Sequence, residues 1–474
     1  MAQSPVILWF RNDLRLADNP ALDAALASGR KILCVYIHDE QGSGLRPAGG
    51  ASRWRLDLAL RALSESLARL GGELFFLRGD ADNLLPRLAE ASAAQKILWN
   101  RRYSGGEIAQ DARLKALLRS REREVATFNG SLLAEPWEVA TKTGGTFKVF
   151  TPFWRALREN LHLAAPLPAP GQMDFAVWPE DGPPRVKLDD LSLAPQTPDW
   201  ARDFPDPAAG ETGAQQRMKR FLAEGLDAYA QQRDRIDRSA TSGLSAHLHF
   251  GEISPRQIFA EAAKKPGADK FLSELGWREF STHLLFEHPN LAWHNFNPRF
   301  DAFPWRRDEA ALRTWQEGQT GYPLVDAGMR ELWQTGVMHN RARMVCASFL
   351  TKHLMIDWRE GEAWFWDTLI DADAANNAAS WQWVAGCGAD AAPYFRIFNP
   401  VLQGEKFDPE GAYVRRFCPE LSALPTKVIH RPWTAPPSVL AEAGVRLGQS
   451  YPEPIVDHDF ARRRALAAFS ASQK

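Results

Sequence analysis

The chain of 474 residues is poor in cysteine and contains no long hydrophobic run. Its four cysteines, Cys34, Cys346, Cys387 and Cys418, are far apart, and none belongs to a CxxC or CxxH pair. This spacing argues against a zinc site, an iron–sulfur cluster or a disulfide framework, and we expect a reducing cytoplasm and no metal. No run of eighteen apolar residues occurs, so no membrane span is expected. The N-terminus has no basic residues ahead of its short apolar run, which argues against a secretory signal.

Generic catalytic signatures are also missing. The chain has no Walker A loop, no G-x-G-x-x-G after its first apolar run and no H-E-x-x-H motif. The formal net charge of -1 gives no global sign of nucleic-acid binding, although a local basic face remains compatible with it. Tryptophan, in contrast, is abundant, with 18 residues. We expect most of them to fill the core and a few to serve stacking or electron transfer.

Strand-like and helix-like segments alternate over the first 130 residues, which predicts βαβ units and a parallel, Rossmann-like sheet. The strand-like runs are 6–10, 31–37, 73–77 and 96–100, and the helical ones include 52–70 and 109–118. A proline-rich stretch follows at about 164–207, and long amphipathic segments dominate the rest of the chain. We therefore predict an α/β domain (1–132), an inter-domain linker (133–207) and a larger all-α domain (208–474).

The stretch 371–383 concentrates acids, amides and indoles within thirteen residues. Asn377 and Trp381 are four residues apart and share one face if the segment is helical. Such a mixture is not typical of plain core, because buried acids and amides are costly unless they have partners. Three other clusters are weaker when taken alone. They are Thr241 to Ser245 before a helix, Glu274 with Trp277 and Arg278, and Asn340 with Arg341 and Met344.

Together, these motifs resemble the cryptochrome/photolyase family. The likeness begins at the L-W-F-R-N-D-L-R motif of 8–15, continues through 151–154, 241–245 and 321–323, and extends from 371–400 to 403–407. It implies an N-terminal antenna-chromophore domain and a C-terminal domain that holds FAD. The local sequence is most similar to class III bacterial photolyases for cyclobutane pyrimidine dimers, with class I next.

The resemblance also implies roles for residues around FAD. Arg343 and Asp371 would flank the isoalloxazine as an ion pair, Asp373 would contact the flavin, and Asn377 would face flavin N5. The FAD-binding residues implied are Tyr229, Thr241, Ser242, Gly243, Leu244, Ser245, Arg278, Arg343, Asp371, Asp373 and Asn377. Photoreduction of FAD would use an electron-hopping chain from Trp381 through Trp358 to Trp305.

The implied activity is the light-driven repair of pyrimidine dimers in DNA by electron transfer from excited reduced FAD to a flipped-out lesion. Glu274 would hydrogen-bond the dimer and stabilise its radical anion. The implied lesion pocket comprises Glu274, Trp277, Asn340, Met344 and Trp383, with Arg233, Arg341 and Gln403 on the flanking strand. Photolyases for (6-4) photoproducts have histidines where Asn340 and Met344 stand, so the sequence argues against that lesion.

The antenna and the partners are also predicted by resemblance. Glu107 matches the folate-binding glutamate of bacterial photolyases, but Gly106 and Trp293 replace the asparagine and lysine of that site. We expect methenyltetrahydrofolate in a different pose, with a deazaflavin as the alternative. The expected partner is UV-damaged DNA, and we expect a monomer with no obligate protein partner.

Two other functions remain open from the sequence. One is a cryptochrome-type blue-light photoreceptor without repair activity, against which Asn377 argues, because plant cryptochromes usually carry an acid there and insect ones a cysteine. The other is an α/β plus helical adaptor that binds no flavin.

Overall fold

The computed structural model describes residues 4–40, 42–391 and 395–472. Residues 392–394, inside the motif stretch 371–400, lie outside it. A five-stranded parallel sheet with the order β3-β2-β1-β4-β5 forms the N-terminal part. Its strands are β1 (Val6–Phe10), β2 (Ile32–His38), β3 (Phe75–Arg78), β4 (Lys96–Asn100) and β5 (Glu124–Phe128).

Helices cover both faces of this sheet, which explains why β1 and β2 are continuous apolar runs with every residue buried. On one face Phe10 packs in a cluster with Leu60, and on the other Trp9 packs in a cluster with Leu85 and Leu114. The helices are α1 (Pro20–Ala27), α2 (Gly50–Arg69), α3 (Ala81–Ala91) and α4 (Gly105–Ser120). The predicted α/β fold is confirmed.

The rest of the chain is helical: among the described residues, all five strands end before residue 129. Its first helices are α5 (Phe150–Asn160), α6 (Gly210–Arg220), α7 (Leu226–Gln232), α8 (Ser245–His249), α9 (Pro255–Ala262), α10 (Asp269–Glu287), α11 (Glu309–Gln316) and α12 (Pro323–Thr335). Its later helices are α13 (Asn340–Ser348), α14 (Trp358–Thr368), α15 (Ala374–Ala385), α16 (Pro400–Phe407), α17 (Ala412–Phe417), α18 (Pro437–Glu442) and α19 (His458–Ser472). The predicted all-α second part is confirmed.

Two local features differ from the sequence predictions. The amphipathic stretch 214–232, which its periodicity predicts to be one helix, is divided into α6 and α7 by a π-helical turn at Phe221–Gly225, where Gly225 lies against the Phe221 ring. Helix α5 falls within the predicted linker and packs on α10, with the rings of Phe153 and Phe280 5.2 Å apart. The domain boundaries at 132 and 207 stay a prediction.

Buried ion pairs join the two parts. Asp18 pairs with Arg256 at 2.7 Å, and the fully buried Arg55 of α2 pairs with Glu252. The backbones also meet closely, because a Cβ on Gly251 would lie 2.1 Å from the Asn12 carbonyl oxygen. These contacts fix the helical part against the carboxyl ends of the sheet strands. No helix in the described ranges is long and apolar enough to cross a membrane.

Candidate active site

A cavity of about 340 Å³ lies among α8, α10, α13 and α15. The residues that the sequence predicts for flavin, lesion and electron transfer meet here from five separate segments of the chain. Those lining it are Tyr229, Ser242, Leu244, Ser245, Glu274, Trp277, Arg278, Asn340, Arg343, Met344, Asp371, Asp373, Asn377 and Trp381.

Asp373 sets the start of α15 and therefore the direction of the residues that follow it. Its Oδ1 accepts hydrogen bonds from the backbone N–H groups of Ala375 (3.1 Å) and Asn376 (2.8 Å), as an N-cap does. Burial raises the pKa of the Asp373 carboxyl, but its hydrogen bond with His249 and nearby positive charge outweigh this and lower it to about 2. An ionised acid thus faces the cavity, with Asn377 one turn further along α15.

Arg343 and Asp371 form the predicted ion pair. One Arg343 Nη lies 3.0 Å from each Asp371 oxygen, and Arg343 Nε donates to the Met338 carbonyl at 2.8 Å. Burial opposes ionisation of the Asp371 carboxyl and raises its pKa. The positive charge of Arg343, together with hydrogen bonds from Arg343 and Ser245, outweighs burial and holds that pKa below its ordinary value. The pair places a fixed positive and a fixed negative group at the cavity wall.

The Asn377 side chain is oriented by two residues that the sequence did not reveal. Its Nδ2 donates to the Glu362 carbonyl oxygen (3.0 Å) and to Glu362 Oε1 (2.9 Å). The Glu362 carboxylate is buried and held by both terminal nitrogens of Arg46 at 2.7 and 2.8 Å. Because both Nδ2 bonds point away from the cavity, the Asn377 Oδ1 is left to accept a hydrogen bond from a ligand.

Four of the five residues of the predicted lesion pocket, Glu274, Trp277, Asn340 and Met344, line this cavity. The Asn340 Nδ2 lies 3.8 Å from the Met344 sulfur, one turn along α13. The Trp277 ring stacks on Phe150, with centroids 3.9 Å apart, so its orientation is fixed. Glu274 is paired with Arg233, and Arg233 Nη2 lies 3.0 Å from Glu274 Oε2.

Several residues predicted to bind FAD or DNA do not line this cavity. They are Thr241, Gly243, Arg233, Arg341, Trp383 and Gln403. The Trp383 Nε1 donates to the Asp390 carbonyl at 2.9 Å, and Arg341 pairs with Asp234 at 2.7 Å. Gly243 has φ +62° and lies against Arg217, which explains the need for glycine there.

The three predicted electron-transfer indoles belong to one hydrophobic cluster. Trp358 is fully buried, and its Nε1 donates to Asn295 Oδ1 at 2.8 Å. The ring contacts of Trp381 within the described residues are with Phe365 (4.9 Å) and Trp315 (6.2 Å), not with Trp358. The Trp381 and Trp358 rings, consecutive in the predicted electron-hopping chain, are therefore not stacked on each other.

A second cavity, of about 670 Å³, opens at the carboxyl ends of the sheet strands, where parallel sheets bind ligands. Glu107 lines it, but its Oε2 already accepts from the Ser104 hydroxyl at 2.7 Å, and its Oε1 lies 3.2 Å from Arg102. Trp293 and Arg46 also line this cavity. Arg278, Asp373 and the unpredicted His249 line both cavities, so only a thin wall separates them.

Comparison with known proteins decides the family. Residues 6–171 match the family described as DNA photolyase, and residues 271–471 match the FAD binding domain of DNA photolyase. The deoxyribodipyrimidine photo-lyase of Agrobacterium fabrum is 50% identical over 99% of this chain and 98% of its own length.

The chain belongs to the DNA photolyase family. Cryptochrome-1 of Arabidopsis thaliana is also similar, at 39% identity over 98% of this chain and 70% of its own. The crystal structure of a bacterial class III photolyase from Agrobacterium tumefaciens superposes with a TM-score of 0.95 at 50% identity, covering 100% of this chain and 98% of that one. The helical part is thus an FAD binding domain of the DNA photolyase family.

The cavity among α8, α10, α13 and α15 fits FAD chemically. Arg343 and Asp371 supply a donor and an acceptor at the wall, and Asn377 presents an acceptor. Ser242 and Ser245 add hydroxyl groups, while Phe365 gives an apolar surface. This mixed lining suits a ligand that combines an aromatic ring system with a diphosphate.

Proposed function

We propose that the protein is a deoxyribodipyrimidine photo-lyase, a carbon–carbon lyase that uses light to split cyclobutane pyrimidine dimers in DNA. The observation that carries this proposal is that residues predicted to bind the lesion and residues predicted to bind FAD line the same cavity. Glu274, Trp277, Asn340 and Met344 line it together with Asn377, and of these only Asn377 is buried. A base extruded from DNA would therefore meet the flavin face directly.

When bound, reduced FAD would supply the light-excited electron for a splitting reaction that has no net redox change. The chain's own residues bind and orient the cofactor. Arg343 and Asp371 would hold the isoalloxazine, and Ser242 and Ser245 would hold the diphosphate; all four line the same cavity. The Asn377 side chain, oriented by Glu362, would offer its Oδ1 to flavin N5 as a hydrogen-bond acceptor without adding charge.

Lesion binding depends on extrusion, which costs a few kcal/mol and less for a damaged pair. Trp277, already immobilised on Phe150, offers a stacking surface worth about 1–3 kcal/mol per base. Glu274 accepts a hydrogen bond from the dimer. Arg341 and Gln403 contact the flanking strand, and such contacts position DNA more than they specify its sequence.

The proposal also covers the photoreduction of FAD and the antenna chromophore that harvests light. Trp381, Trp358 and Trp305 would pass electrons to FAD during its photoreduction; the burial of Trp381 and Trp358 in one cluster supports this. The cavity of about 670 Å³ takes an antenna chromophore, for which we propose methenyltetrahydrofolate, with a deazaflavin as alternative. Trp293 and Arg46, whose guanidinium carbon lies 4.9 Å from the Trp293 ring centroid, offer a surface for a conjugated ring.

The test is repair of an oligonucleotide that contains one thymine dimer. Reduced holoprotein under blue light should restore absorbance at the wavelength of intact thymine, and a dark sample should not. The similarity to Cryptochrome-1 makes a photoreceptor without repair activity the second candidate. Photoreduction of bound FAD without dimer splitting would establish that function and refute ours.

A further inference from the structure

Glu274 has no free carboxylate oxygen in the DNA-free protein. The two Nη atoms of Arg233 contact the two Glu274 carboxylate oxygens, with Nη2 3.0 Å from Oε2. Lys270 Nζ lies 2.8 Å from Glu274 Oε1. The side chain of Arg233 is 14% exposed and that of Glu274 26%. Each oxygen of the carboxylate proposed to bind the lesion therefore already has a cationic partner before any lesion arrives.

The same two nitrogens of Arg233 could donate hydrogen bonds to a DNA phosphate. Arginine binds phosphate, as it binds carboxylate, through two parallel N–H bonds from its planar fork. While Glu274 occupies the Nη1–Nη2 edge of Arg233, a phosphate cannot bind at that edge. Lys270 is 45% exposed and can turn toward the DNA as well.

We infer that Glu274, Arg233 and Lys270 form a partner-exchange site that sets the preference for damaged over undamaged DNA. The inference rests on the proposed function. Every DNA offers phosphate to Arg233 and Lys270, but only an extruded dimer brings an N–H donor to Glu274. With undamaged DNA the exchange leaves a partly buried carboxylate short of donors, which is costly. With a dimer each group has a new partner.

A neighbouring ion pair provides a matched control. Arg341 Nη2 lies 2.7 Å from Asp234 Oδ2, and the Arg341 side chain is 15% exposed, much like that of Arg233. Asp234 does not line the cavity. Asp234→Asn therefore removes one negative charge and frees one arginine, as Glu274→Gln does, without affecting a lesion contact.

The experiment measures affinity in the dark by fluorescence anisotropy, using FAD-loaded protein and two duplexes that differ only by one thymine dimer. Glu274→Gln should bind undamaged DNA roughly tenfold more tightly, the size of one charge-assisted hydrogen bond, while losing affinity for the dimer. Asp234→Asn should strengthen both duplexes by a similar factor and keep their ratio. In the double variant Arg233→Met with Glu274→Gln, the gain on undamaged DNA should disappear.

The outcomes separate this inference from the proposed function. If Glu274→Gln does not strengthen binding of the undamaged duplex, or if the gain survives in the double variant, partner exchange is wrong although repair stands. If the unaltered protein neither prefers nor splits the dimer, the proposed function itself fails. Circular-dichroism melting of every variant checks that it is folded.

Discussion

Removal of Arg343 tests whether the Arg343–Asp371 ion pair stabilises the cavity wall proposed to bind FAD. The Asp371 side chain is only 5% exposed, so Arg343→Met leaves a buried carboxylate without its main partner. Breaking a buried pair from one side costs about 3–5 kcal/mol. We expect about 3 kcal/mol, because Arg343 is itself 27% exposed and Ser245 still bonds to Asp371. For a helical domain of this size that corresponds to roughly 6–12 °C in melting temperature.

The pH dependence of this effect has a defined sign. In the unaltered protein the pKa of Asp371 is lowered, so its contribution is present at neutral pH and is lost as pH falls through the folded pKa. Without Arg343, burial should raise that pKa, and the variant should lose stability as pH rises. The difference in melting temperature should therefore be largest at pH 7.5 and should shrink toward pH 4.

The assay is circular-dichroism melting at several pH values, with flavin content measured by absorbance. Arg343→Met with Asp371→Asn is the control, because removing both charges should recover part of the loss. An Arg343→Met melting curve equal to that of the unaltered protein at pH 7.5, or a difference that grows on acidification, would refute the reasoning.

Three other perturbations address separate parts of the site. Trp381→Phe should abolish photoreduction of oxidised FAD but leave repair by chemically reduced protein, and loss of both would contradict its role as electron donor. Glu274→Ala should lower the repair yield per absorbed photon with FAD still bound, and an unchanged yield would remove Glu274 from the chemistry. Asp373→Asn keeps an N-cap but removes the charge. The lowering of the Asp373 pKa from 3.8 to about 2 limits the resulting destabilisation to about 2.5 kcal/mol, which should vanish as pH falls from about 4 to 2. A pH-independent loss, measured by chemical denaturation, would argue against the lowered pKa.

The fold could be predicted from local patterns where burial is complete. Strands β1 and β4 were predicted with their observed bounds, because each is an apolar run of strand length. Strand β5 was missed, since in Glu124–Phe128 only Val125 is buried and the strand lies at the sheet edge. An edge strand gives a weaker hydrophobic signal than a central one.

The site could be predicted where its residues are close in sequence. The N-cap Asp373, the amide Asn377 and the indole Trp381 follow one another along α15, so their spacing shows that they share a face. Glu362 and Arg46 could not be found in this way, because they are 316 residues apart and meet only after the two parts pack together. Lys270 could have been found, because it precedes Glu274 by one helical turn.

The most direct test of the central claim is dimer repair in a single turnover. The reduced holoprotein is mixed in the dark with an equimolar oligonucleotide containing one thymine dimer and receives one flash of blue light. The account predicts that intact thymine appears and that the flavin ends the cycle in its reduced state. Bound FAD that absorbs the flash while the dimer stays intact would contradict it.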